Sequence, residues 1–116
     1  MALTPSEHIE LNTIQDFTPT MESGISHTTS RYSQLDNNLV YIEGDYSATT
    51  AMTRGYIITL PSNLYPKNIT ALSIMARDSN SAYQNASAIL FQNGRLYVVA
   101  STACTRFFIT GVYAVK

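Results

Sequence analysis

Charge is scarce in this chain. Asp, Glu, Lys and Arg make up 13% of its 116 residues, about half the usual share. Seven basic residues stand against eight acidic ones, a formal net charge of −1. They are scattered, so the basic footprint that binding nucleic acid requires is missing. Ser, Thr and Asn fill the place of charge, which suits hydrogen-bonding recognition or subunit contacts better than electrostatic capture. Cysteine is nearly absent too. Cys104 is the only one, which rules out an intrachain disulfide and with it a stapled scaffold. It is expected as a small, partly buried residue near a strand start, since no neighbouring signature marks a reactive thiol. No run of 18 apolar residues and no signal-peptide core occurs, which predicts no membrane insertion and no cleavable export signal.

Catalytic vocabulary is equally thin. His8 and His27 have no Cys or carboxylate at metal-ligand spacing and read as surface histidines. There is no Gly-rich phosphate loop, no Gly-x-Ser-x-Gly and no His-Glu-x-x-His. Glu43 and Asp45 share a strand face about 7 Å apart, twice the strand rise. That separation is near a glycosidase pair, but solvated alternation on a sheet face is the commoner meaning. No catalytic residue, cofactor or metal is assigned, and the chain is expected not to be an enzyme. Asn68-Ile69-Thr70 and Asn85-Ala86-Ser87 match the glycosylation pattern, which arises easily by chance.

What is present is β vocabulary. The run Ala86 to Ala100 joins two apolar, β-branched and aromatic segments through Asn93-Gly94, which predicts a two-residue type I′ hairpin. Both faces of that hairpin are apolar, so other strands must cover it. Leu39 to Tyr46 alternates, with Val40, Ile42 and Tyr46 on one face and Tyr41, Glu43 and Asp45 on the wetter one. Further strands are expected at Ile14–Phe17, Ile25–Gln34, Gly55–Leu60, Ile69–Arg77 and Phe107–Val115. Polar loops are expected at Ser47–Arg54, Asp78–Asn85 and Ser101–Arg106. Pro61 ends its strand by removing a ladder donor. The only competitor for a helix, Pro5 to Asp16, has too few apolar positions for a stripe. The fold class is therefore all-β, an antiparallel β-sandwich or jelly-roll-like small barrel. One domain is expected over residues 14–116, preceded by an arm or linker at 1–13.

If successive strands run in opposite directions, the three longer polar loops gather at the end away from Asn93-Gly94. That end is the default recognition surface. Tyr83, flanked by Asp78, Asn80, Gln84 and Asn85, offers an aromatic face beside planar amides and a carboxylate, the vocabulary of saccharide recognition. Arg54 and Arg106 fall in the same loop group and are able to donate to an anionic ligand. These seven residues are the candidate site.

The order of motifs then resembles a known family. Thr18-Pro19 is followed by a tyrosine-containing strand and by Asn38-Leu-Val-Tyr-Ile-Glu-Gly44. Then come Ile58-Thr-Leu-Pro61, the step Tyr65-Pro66, a strand ending at Phe91 before Asn93-Gly94, and a β-rich finish. This resembles the C-terminal head domains of phage tail-fibre and baseplate receptor-binding proteins, especially those of lactococcal phages, over roughly Phe17 to Lys116. Leu64 stands where the family often has Gly before the Tyr. The resemblance implies a homotrimeric head on the virion, at the tail tip or baseplate. Such a head binds host cell-wall polysaccharide or teichoic acid without chemistry, alongside other phage tail proteins. The alternative is a structural tail or baseplate module that binds another phage protein. The shared residues are turn and packing positions, so no binding residue is carried over from them.

Overall fold

The structure, a computed structural model, describes residues 14–116. The expected N-terminal arm and His8 lie outside them. Among the described residues there are eight strands: β1 Gln15–Asp16, β2 Thr20–Met21, β3 Ile25–Asp36, β4 Leu39–Thr59, β5 Thr70–Asp78, β6 Tyr83–Gln84, β7 Ala86–Leu90 and β8 Arg95–Ala114. Of the described residues 73% are in strand and 3% in helix, in one antiparallel sheet that does not close. The helical part is a single 3-10 turn at Ser62–Leu64. The all-β, antiparallel class expected from the alternation is the one observed.

Two long strands carry the architecture. β4 and β8 pair along most of their lengths, from Leu39↔Ala114 to Thr59↔Arg95, with register shifts around Met52. The expected loops Ser47–Arg54 and Ser101–Arg106 are therefore not loops. Both lie inside these strands, where Thr, Ser and Ala continue the ladder through an irregular stretch. Their polar composition marks a bent strand rather than its end, because bulges let a strand turn without giving up its pairing. β3 pairs with the first half of β4. β8 bonds to β7 through its first half and to β5 through its second, while β5 and β7 also pair with each other. The sheet thus folds back along β8, and its inward faces share one core.

That core is built by alternation. Along the first part of β4 the buried positions are Val40, Ile42, Gly44, Tyr46 and Ala48, and near its end Ile57 and Ile58 are buried as well. Along β8 they are Leu96, Val98, Ala100 and Cys104, then Phe107, Ile109 and Tyr113. The inward set changes parity between the two groups. Arg77 pairs with Arg106 and Asp78 with Cys104, so Thr105 is the extra residue of a bulge that absorbs the change. Cys104 is buried, its Sγ donating to the Thr102 carbonyl at 3.2 Å, and desolvation pushes its thiol pKa up. That is a packing thiol, not a nucleophile.

Two tyrosines bury their rings and satisfy their hydroxyls. Tyr113 Oη donates to the Leu64 carbonyl at 2.7 Å, and Tyr46 Oη accepts from Ser30 Oγ at 3.1 Å. Burial pushes the Tyr46 phenol up to about 12. The step Leu60-Pro61…Tyr65-Pro66 is a clamp. Leu64 is buried, where the resemblance pointed to Gly. Pro66 bridges Val115, and the Lys116 N–H donates to the Tyr65 carbonyl at 3.0 Å.

The hairpin also departs from expectation. Gly94 has φ +82°, while neither Gln92 nor Asn93 has a positive φ. The Gly94 N–H donates to the Phe91 carbonyl at 2.9 Å, and the Phe91 N–H to the Arg95 carbonyl at 2.9 Å. This is a type I turn on Gln92-Asn93 followed by a left-handed glycine, not a type I′ turn on Asn93-Gly94. The chain needs the positive φ at one position instead of two. The strand before it, β7, ends at Leu90 instead of Phe91.

Candidate functional site

The register of β6, β5, β8, β4, β3 and β1 lays out an outward sheet face in rows. Tyr83 stands beside Arg77, Arg77 beside Arg106, and Arg106 beside Ser47. Below them Met75 pairs with Phe108, Phe108 with Asp45, and Asp45 with Thr29. Below those Ser73 pairs with Thr110, Thr110 with Glu43, Glu43 with Arg31, and Arg31 with Asp16. Period-two alternation puts every one of these side chains on the face opposite Phe107, Ile109 and Tyr46.

Most charges on this face are matched. Arg106 grips Asp45 through two parallel bonds, Nε to Oδ1 at 3.0 Å and a terminal nitrogen to Oδ2 at 2.7 Å. Those bonds raise the Arg106 pKa further above its ordinary value. Arg31 lies 3.9 Å from Glu43 and 3.7 Å from Asp16. Tyr41 Oη donates to Glu43 at 2.9 Å. Burial, then that hydrogen bond, raises the pKa of its phenol. Glu43 and Asp45 do share a strand face, as alternation predicts, and each has a basic partner. Phe108 lies under two guanidinium groups, Arg106 at 5.1 Å and Arg77 at 5.9 Å from its ring centroid. Beside it is a depression of about 270 Å³ lined by Thr29, Arg31, Glu43, Gly44, Asp45, Phe108, Ile109 and Thr110.

The seven sequence-predicted residues divide. Asp78 ends β5, and its carboxylate organises the turn that follows. Oδ1 accepts from the Asn80 and Ala82 N–H groups, both at 2.9 Å, and Oδ2 from Gln84 Nε2 at 2.9 Å. The Asp78 carboxylate and the Gln84 amide are thus spent on each other and on the backbone of this turn, with Ser81 at φ +65° within it. The expected loop contains the short strand β6, which pairs Tyr83 with Arg77 and Gln84 with Ala76. Tyr83 is 59% exposed. Asn85 is exposed, and its carbonyl accepts from the Ser101 N–H at 2.9 Å. Arg106 joins Tyr83 on the outward face.

Arg54 does not join them. It pairs with Val99, which itself pairs with Ser87. That sets it on the far half of the ribbon, near the cluster of Tyr56, Tyr97 and Phe91. The irregular middle of β4 carries it past the bend. Sequence reading missed Arg77, Phe108 and Met75. Their signal was present in the alternation of β5 and β8 but needed the register of three strands to be combined.

The Asp78 turn yields a pH prediction. Its backbone hydrogen bond from Ala82, then the Gln84 amide, hold the Asp78 pKa below its ordinary value. A lowered folded-state pKa adds stability above the unfolded value, near pH 4, and loses it as pH falls through the folded value. The melting-temperature gap between the wild type and Asp78→Asn should therefore be widest at neutral pH and close below pH 4. A gap independent of pH would show that the turn does not depend on the charge.

The molecule is thus an all-β, single-sheet domain with one outward face of paired charges around a half-covered phenylalanine. No family model matches the chain, and no curated protein does. Among solved structures it is similar to the receptor binding protein (gp15) of Listeria phage PSA, with a TM-score of 0.67 at 24% identity. The match covers 90% of this chain and 67% of that one. The likeness is one of fold.

Proposed function

We propose that this domain is a phage receptor-binding head that attaches to host cell-surface saccharide without covalent chemistry. Its place is on the virion tail, and it acts as a homotrimer. The observation that carries this reading is the shared fold with a phage receptor binding protein over nearly all of the chain. The outward face supports it. Tyr83 and Met75 offer exposed apolar surface, and the arginines and carboxylates beside them offer hydrogen bonds to hydroxyls. Asp45 is committed to Arg106 through both oxygens, an arrangement for holding a ligand rather than for protonating a glycosidic bond. Weak sites suffice, because several copies on one particle raise avidity by about 10² or more.

The test is attachment. Fluorescent protein should decorate cells from a panel of Gram-positive hosts and be displaced by purified wall saccharide. Tyr83→Ala should keep the wild-type melting temperature and bind cells several-fold more weakly. A protein that decorates no cells, yet binds a neighbouring tail protein, would turn the reading into a structural module. Release of reducing sugar from wall polysaccharide would turn it into an enzyme.

A further inference from the structure

We infer that the outer face of the β7–β8 hairpin is the surface through which copies of this chain join, each copy covering it on the next. This rests on the homotrimer of the receptor-binding reading for the number of copies.

Elsewhere alternation leaves a wet outer face. Between the buried positions in the first part of β4 stand Tyr41, Glu43, Asp45 and Ser47. The hairpin breaks that rule. Ala88, Leu90, Leu96, Val98 and Ala100 fill the core, and the residues between them are largely apolar too. Tyr56 pairs with Tyr97, Tyr97 with Ile89, and Ile89 with Ala71. In the next row Arg54 pairs with Val99, and Val99 with Ser87. Toward the turn, the Tyr56 ring centroid lies 5.0 Å from that of Tyr97 and 6.1 Å from that of Phe91. Arg95 caps this cluster, 3.6 Å from the Tyr56 centroid. A strand that is apolar on both faces is one that is covered on both. The core covers the inner face. The outer one lies open, with Val99 40% exposed and Ile69, ahead of Ala71 on the same side, 60% exposed.

Composition and charge point to the occupant. These rows hold no Asn, Gln, Asp or Glu, so they lack the amides and carboxylates that pair a sugar's hydroxyls. Aromatic residues bordered by arginine are instead the make-up of protein–protein contacts. Three rows about 7 Å apart, across four strands about 4.8 Å apart, span about 400 Å². A stable contact covers about 800 Å² per partner, so it reaches past the rows to the charges at the β4 edge. There Arg54 has no ion pair among the described residues. Glu22, which bonds the Ile57 carbonyl through its N–H, gives Oε1 to Arg95 at 3.2 Å, and its side chain stays 42% exposed. The border thus carries both a free cation and a reachable carboxylate. A second copy set against the first brings Arg54 of one toward Glu22 of the other, so the surface supplies its own complement.

Sedimentation equilibrium over a range of concentrations tests this. The wild type should sediment as a trimer. Val99→Glu and Ile69→Glu should each weaken association by about a hundredfold or more, since each leaves an unpaired carboxylate in a dry contact. Both should keep the circular dichroism of the folded sheet, and Arg54→Gln should weaken association about tenfold. Val112→Glu is the control. Val112 is 52% exposed and pairs with Tyr41 on the other half of the molecule, so its variant should assemble like the wild type. The inference is overturned if the wild type is a monomer, if both hairpin-face variants assemble like it, or if Val112→Glu dissociates as far as they do. The outcomes also separate the readings. A trimer that neither variant disturbs overturns the face and leaves the homotrimer standing, while a dimer broken by both supports the face and overturns the trimer. Assembly that depends on Val99 and Ile69, with no decoration of any cell by the wild type, supports the face and overturns the receptor reading.

Discussion

Phe107→Ala should destabilise the fold by about 3–5 kcal/mol, whereas Phe108→Ala should cost about 1 kcal/mol or less. Two adjacent residues of the same type separate this widely because a strand's side-chain period is two. Phe107 is fully buried, paired with Tyr46 on one side and Ala76 on the other. It stands where the second half of β8 packs into the shared core, so removing the ring leaves a cavity that three strands cannot close. Phe108 lies on the outward face, half covered by the Arg77 and Arg106 guanidinium groups. Its loss removes cation–π contacts that are worth about 0.5–1 kcal/mol at exposed sites. Thermal denaturation of the two variants reads the register directly. Equal effects, or a larger effect at Phe108, would mean that β8 is paired one residue out of step.

Gly94→Ala should cost about 2–4 kcal/mol, far more than Asn93→Ala. Two causes add. Gly94 has φ +82°, a conformation that costs an L-residue roughly 1–2 kcal/mol. A Cβ there would also collide with the Tyr65 ring and stand 3.1 Å from the Leu60 carbonyl, and overpacking of this kind costs roughly 1–3 kcal/mol. The ring cannot step aside freely. Lys116 donates to the Tyr65 carbonyl, and Leu64 and Pro66 on either side are buried. Asn93→Ala loses one exposed bond, from the Arg95 N–H to Asn93 Oδ1 at 3.1 Å, worth about 1 kcal/mol. Chemical denaturation of Gly94→Ala in a Tyr65→Ala background divides the two causes. If the cost falls by half or more, the collision dominates; if it is unchanged, the backbone strain accounts for it all.

The glycine was legible in the sequence and its reason only in part. Asn93-Gly94 between apolar runs marks a hairpin, and a hairpin is there. The turn type depends on which residue carries the positive φ, and Tyr65, some thirty positions away, helps to decide that by lying against Gly94. The same holds for Ser47–Arg54 and Ser101–Arg106. Rich in Ser and Thr, they read as loops, and each is held in strand because the other lies opposite it.

The sequence by itself determined the class of fold and much of the core. Alternation at Val40, Ile42 and Tyr46, the apolar runs around Asn93-Gly94 and the lack of any helical stripe allow no other class, since period-two burial is a local property of the chain. It also set the clean apolar face of β4 against its wetter one. The tertiary structure alone decided which charges meet. The ion pair of Arg106 with Asp45, and the pairing of Arg77 with Arg106 and of Tyr83 with Arg77 across strands, are fixed by register and by the bulge at Thr105. It also decided that Arg54, close to Ser47 in the chain, lies on the other side of the bend. A residue's face can be read from its neighbours in sequence. Its partners on that face are set by loop closure and pairing over long separations, and these the linear pattern does not encode.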